Sequence, residues 1–347
     1  MAVGGGSIGL LVGGVLTQAL GWRWIFFINV PIGIVTFVLG RVLIDENVGL
    51  GIRNGVDVTG STLVTLALML GIFAIIEATA YGWVSVHTLG FGAAAAGLLI
   101  AFFVLEARPR NPIMPLRILR IPTLTNSSII RGFLATGLNT TFFLGALYLA
   151  NVLGYSPIRT GLAFLPISLM MGLLSAGVTA RLVARFGAKR VLVPGMAAGA
   201  VGLLLLTRVG PGASFATVVF PAFLLVGFGA GTSFLPLLSI AMADVPGADA
   251  GLGSGIANVS MQMSAALGLA VLGTIATDRS RTLAASGQPA PVALSGGYRL
   301  AFLIAAACVG VGTVVAQVLL QGGSGGEVDR GALRQVEIEN AGEPLAT

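Results

Sequence analysis

The chain has 347 residues, of which 56% are hydrophobic and only 9% charged, with a mean hydropathy of +0.97. Soluble domains carry roughly 25% charged residues, so this composition excludes a soluble enzyme or binding domain and points to an all-α integral membrane protein. The formal charge of +6 rests on basic residues in short loops between apolar runs, a pattern that suits retained cytoplasmic loops and not nucleic-acid binding.

A helix needs about 20 apolar residues to cross the hydrocarbon. The runs predict ten such helices, over 3–20, 23–43, 59–80, 88–106, 124–150, 160–181, 190–208, 215–241, 252–276 and 298–320. The first run holds Gly5, Gly9 and Gly13 at four-residue spacing, followed by Gly14. Missing side chains at that spacing line one helix face and let another helix approach closely. Trp22-Arg23-Trp24 then interrupts the apolar sequence, and the next run carries Pro31 and Gly33. A polar, Gly-rich connector precedes the third run, and a basic connector with Pro109, Pro112, Pro115 and Pro122 follows the fourth. Proline at that density does not continue a helix. From Gly322 onward the sequence turns polar and reads as a disordered tail.

Ionisable residues inside spans are costly, about 2.5–3.5 kcal/mol at a helix centre on insertion scales, and mark functional positions. Arg131 stands about seven residues into the fifth run, with Asn139 two turns further on. It reads as a cavity cation or as an arginine snorkelling to the interface. Glu77 is the acidic residue well inside a run; it is a candidate for proton coupling or an interfacial group near Tyr81 and Trp83. Ser254, Asn258 and Gln262 recur every four residues as a polar stripe, lining a cavity or bonding to a neighbouring helix. Asn139, Thr140 and Thr141 form a weaker group, because threonine can bond back to its own helix. One histidine and one cysteine offer no metal site and no catalytic triad, so neither an enzyme activity nor a cofactor is expected.

Several of these stretches resemble the major facilitator superfamily, in its fourteen-helix drug:proton antiporter branch. Gly5, Gly9, Gly13 and Gly14, then Gly21 through Gly33 (GWRWIFFINVPIG), match the antiporter motif of the fifth family helix and the entry to the sixth. Leu10 stands where that motif has proline. Gly154, Ser156, Pro157, Gly161, Leu165 and Pro166 match the entry to the tenth family helix. Arg185, Gly187, Lys189 and Arg190 match a cytoplasmic loop motif whose acidic position is Ala184 here. Gly255, Asn258, Gln262, Gly268 and Gly273 resemble the thirteenth family helix.

The resemblance implies a partial N-terminal bundle over 1–43, connectors and two linker helices over 44–122, a six-helix C-terminal bundle over 123–321 and a cytoplasmic tail over 322–347. It also implies efflux of small amphipathic molecules driven by the proton motive force, in a bacterial plasma membrane, with both ends of the chain cytoplasmic. Under that orientation Arg41, Arg53, Arg108, Arg110, Arg117, Arg120, Arg181, Arg185, Lys189, Arg190, Arg330 and Arg334 fall inside. Arg23, Arg159, Arg208, Arg279, Arg281 and Arg299 fall in outer loops. That bias agrees with the positive-inside rule. Four helices of the family pattern precede the first motif, so the resemblance leaves two readings open. The chain is either a transporter of this type or a fragment or half-transporter needing a separate N-terminal polypeptide.

Overall fold

The computed structural model describes residues 2–43, 58–106 and 117–320. The two connectors and the polar tail fall mostly or wholly outside the described residues, as do Arg53, Arg108, Arg110, Arg330 and Arg334. Among the described residues, ten long helices follow one another: α1 (Ala2–Ala19), α2 (Trp24–Leu43), α3 (Val58–Tyr81), α4 (Val86–Glu106), α5 (Pro122–Asn151), α6 (Pro157–Phe186), α7 (Ala188–Leu206), α8 (Phe215–Met242), α9 (Ala250–Ala285) and α10 (Ala290–Leu319). Among the described residues, nine of them, α2 to α10, are long and apolar enough to cross a membrane. Ten crossings are expected from the sequence, and nine helices of spanning length are found among the described residues; α1, with 18 residues, is not one of the nine.

Helix α9 runs well beyond its predicted end, and α10 begins well before its predicted start. Asp278, Arg279 and Arg281 interrupt the hydropathy, yet the backbone of α9 stays helical to Ala285. Gly287, at φ +84°, closes it by donating its amide to Ala284, the left-handed stop that glycine allows at a helix C-terminus. Arg279, Arg281 and Arg299 therefore lie on helices rather than in the outer loops expected for them. The Arg299 guanidinium instead clamps the α7–α8 turn by donating to the Val209 carbonyl, and the Tyr148 hydroxyl donates to Gly210 of the same turn at 3.0 Å.

Helices α5 to α10 pack into one bundle, α3 and α4 pair as a hairpin resting on α9, and α1 lies against α6. The bundle is drawn together at small residues, because lipid offers no hydrophobic drive for helix association. An added Cβ at Gly229 of α8 would stand 2.8 Å from the Gly195 carbonyl oxygen and 2.8 Å from the Gly199 Cα of α7. On its other side, α8 meets α6 at Gly227 and Gly231, and the Thr179 hydroxyl of α6 donates to the Gly231 carbonyl at 3.0 Å. Helices α5 and α9 are joined by the Thr136 hydroxyl donating to Ser264 O at 2.9 Å. Phe164 and Phe223 stack 4.9 Å apart in the core between α6 and α8.

The run predicted as one helix over 160–181 is broken. The chain widens into a π-turn over Leu174–Val178, and Gly177 adopts φ +110°. Left-handed backbone costs a side-chain-bearing residue of order 1–3 kcal/mol. Gly177→Ala is expected to lower stability by about that amount, and a thermal melt of the protein in lipid nanodiscs measures it. An unchanged melt would mean that this bend is not held in the folded state.

Candidate functional site

Thr123, Ser127 and Arg131 repeat every fourth residue along the first half of α5, so they stand above one another on one side of the helix. Each has a buried polar atom without a hydrogen-bond partner: Thr123 Oγ1, Ser127 Oγ, and both Nε and Nη1 of Arg131. Arg131 is only 6% exposed. Its Cζ lies 5.9 Å from the centre of the Phe234 ring on α8, so the guanidinium faces an aromatic surface inside the bundle instead of reaching out to the interface. An aromatic face attracts a cation but supplies no acceptor for its N–H groups. Outside the bundle core, Arg117 forms an ion pair with Asp249 at 3.2 Å.

At the foot of this column a cavity of about 200 Å³ is lined by Pro122, Thr123, Asn126, Ile240, Asp244 and Leu320, among others. Thr123 belongs to both the cavity and the column, whereas Ser127 and Arg131 stand above it, enclosed within the bundle. The Nε and Nη1 donors of Arg131 are not satisfied by the protein itself, and an acceptor reaching them would find a charged partner there. Unmet buried donors of this kind cost about 1–3 kcal/mol each, more when charged. Thr123, Ser127 and Asp244 were not singled out from the sequence. The four-residue spacing that marks the α9 stripe also marks this column.

The other sequence candidates are dispersed. Asn139 is exposed two turns beyond Arg131, and its amide donates to Ala135 of its own helix at 3.0 Å. Thr140 Oγ1 is buried without a partner, whereas Thr141 bonds back to Gly137 at 2.8 Å. On α9, Ser254 donates to Gly251 at 2.9 Å, and Asn258 and Gln262 are exposed. The contact of Thr136 with Ser264 puts Gln262 near the level of Arg131, but one side chain is exposed and the other enclosed. Glu77 is half-buried on α3, on the hairpin outside the bundle.

In the glycine motif of α1, Gly9 and Gly13 have open space where a Cβ would stand. The close approach is at Gly14, whose Cβ would lie 2.9 Å from the Pro157 carbonyl oxygen of α6. The surroundings of Gly5 lie outside the described residues. Gly187, at φ +84°, makes the turn between α6 and α7; Arg185 and Arg190 beside it are exposed and Lys189 is half-buried.

This architecture, an all-helical bundle with a hairpin and a further helix on its flanks, agrees with the comparison to known proteins. The profile of the Major Facilitator Superfamily matches residues 50–269. The chain belongs to that superfamily. It is 31% identical over 324 residues to the puromycin resistance protein pur8 of Streptomyces alboniger, covering 91% of this chain and 64% of that protein. It is 31% identical over 273 residues to the tetracenomycin C resistance and export protein of Streptomyces glaucescens, covering 79% and 50%. It is 32% identical over 273 residues to the multidrug resistance protein Stp of Mycobacterium tuberculosis, covering 78% and 50%. The chain thus spans from half to just under two thirds of the length of these superfamily relatives. Their names place them in the resistance and export branch that the sequence motifs resemble.

Proposed function

We propose that the chain is the membrane-embedded part of an exporter of amphipathic small molecules, driven by the proton motive force and located in the bacterial plasma membrane. The observation that carries this reading is Arg131, a buried cation with unmet donors inside the bundle of a chain whose relatives are resistance and export proteins. Transporters of this architecture bind substrate near the bilayer midplane and expose it to alternate sides as one bundle rocks against another. Arg131, with Ser127 and Thr123 below it, supplies the polar contact for substrate. Asn139, Asn258 and Gln262 offer further polar groups on exposed faces of α5 and α9. Glu77 is the candidate proton carrier on α3. Gly14, seated on Pro157, supplies the contact through which α1 and α6 move together.

The Arg117 end of the bundle is cytoplasmic in this reading, with both chain termini on that side. A reporter fused after Arg120 is expected to score cytoplasmic and one fused after Pro289 external; the reverse pattern would overturn the orientation. Expression of the chain in a drug-sensitive bacterium should raise resistance to an amphipathic antibiotic such as puromycin, and no change across a panel of such compounds counts against export.

A second reading is favoured by α2, none of whose residues is buried. Here further helices of an N-terminal half, whether in the same polypeptide or supplied separately, cover that helix. Co-expression of the first four helices of a relative is then expected to raise drug resistance above that of the chain alone.

A further inference from the structure

A cavity of about 820 Å³ lies on the flank of the bundle, walled by α3, α5, α9 and α10. Ile72 and Ile76 of α3, Phe143 and Leu147 of α5 and Leu269 of α9 make most of its wall apolar, and Arg281 stands at one end. The Thr274 hydroxyl of α9 donates to the Ile75 carbonyl of α3 at 3.3 Å, which fixes the two helices at one height. Successive spanning helices alternate in direction, so α3 and α9 run the same way. Tyr81 lies six residues beyond Ile75, and Arg281 seven beyond Thr274. At 1.5 Å per residue both are about 10 Å further along, so they end level with each other. Trp83 is exposed in the adjoining α3–α4 turn, and Tyr81 stacks on His87 there at 4.7 Å. Aromatic residues of this kind sit at the headgroup level of a bilayer.

We infer that this cavity holds an acyl chain of a bilayer phospholipid with an anionic headgroup, its phosphate against Arg281. Three features select a lipid. The volume falls in the range of small-molecule sites, about 300–1,000 Å³. One wall is α3, a helix that leaves most of its surface outward, so the cavity belongs to the lipid-facing flank and not to the bundle interior. The cation stands at headgroup height above an apolar slot, the order of charges and chains in the bilayer itself. Arg279 on the same turn adds positive charge, against Asp278. The inference requires only that the chain spans a membrane, and it stands whether or not the protein exports drugs.

The full chain, stripped of lipid in detergent and re-equilibrated with phosphatidylglycerol or phosphatidylcholine, is examined by native mass spectrometry. The wild type is expected to retain one phospholipid and to prefer phosphatidylglycerol by about fivefold, the factor that one basic residue near the headgroups supplies. Arg281→Gln should bring that preference close to one. Gly273 lines the cavity and has open space where a Cβ would stand, so Gly273→Phe should fill the slot and lose the lipid while circular dichroism shows unchanged helix. Absence of retained lipid in the wild type, equal retention of both lipids, or full retention by a helical Gly273→Phe protein would each overturn the inference.

Discussion

Arg131→Met is expected to leave the amount of folded protein unchanged or slightly raised and to reduce export by at least about tenfold, a loss of roughly 1.4 kcal/mol. The two effects have one cause. Arg131 is buried with Nε and Nη1 unpartnered, so its charge costs the fold about 2.5–3.5 kcal/mol on insertion scales with little return. Methionine has similar length, keeps contact with Phe234 and removes that cost. A structural arginine would behave in the opposite way, because removing it would lower folded yield. Arg131→Lys keeps the charge but not the planar set of donors, and should restore part of the activity. Yield from the membrane and drug efflux from loaded cells read the two effects separately. Undiminished efflux by the Met variant would remove Arg131 from the site.

Gly229→Leu should abolish the folded bundle. A Cβ at that position meets backbone only, 2.8 Å from Gly195 O, 2.8 Å from Gly199 Cα and 2.9 Å from Gly199 N. Side chains can turn away from an intruding methyl, but helix backbone yields only by moving the whole helix. Gly229→Ala alone should cost about 1–3 kcal/mol, the usual penalty of overpacking, and the larger leucine exceeds what the α7–α8 contact can absorb. The measurement is the thermal midpoint of the Ala variant in nanodiscs and the monodisperse yield of the Leu variant. Normal values for both would show that α7 and α8 are further apart than described.

Much of the helical plan was legible because hydropathy reports directly on burial in lipid. The ends were less so, for a physical reason seen in α9. Hydropathy marks where the chain leaves hydrocarbon, at Asp278, whereas backbone hydrogen bonding carries the helix on to Ala285 and the stop at Gly287. The break at Gly177 was hidden because one glycine among many carries no visible signal of a positive φ. Arg131 stood out from its composition alone. Its neighbours Thr123 and Ser127 did not, since spacing fixes a shared helix face but not which helix that face meets. Only the packing of α8 shows that this face is enclosed while the similar stripe on α9 is open. The glycine motif shows the same limit. Its fourfold repeat is visible in sequence, but Gly9 and Gly13 face open space, and the described tight contact is at Gly14, one position off the repeat.

The proposed activity is export of amphipathic molecules at the expense of a proton gradient, through the site at Arg131. Everted membrane vesicles bearing the chain test it most directly, with accumulation of a fluorescent amphipathic drug followed while an inward-acid pH gradient is imposed. Accumulation is expected to collapse when an uncoupler is added and to fall about tenfold, by roughly 1.4 kcal/mol, in Arg131→Met vesicles of equal protein content. Accumulation that survives the uncoupler, or that is the same with methionine at that position, would contradict it.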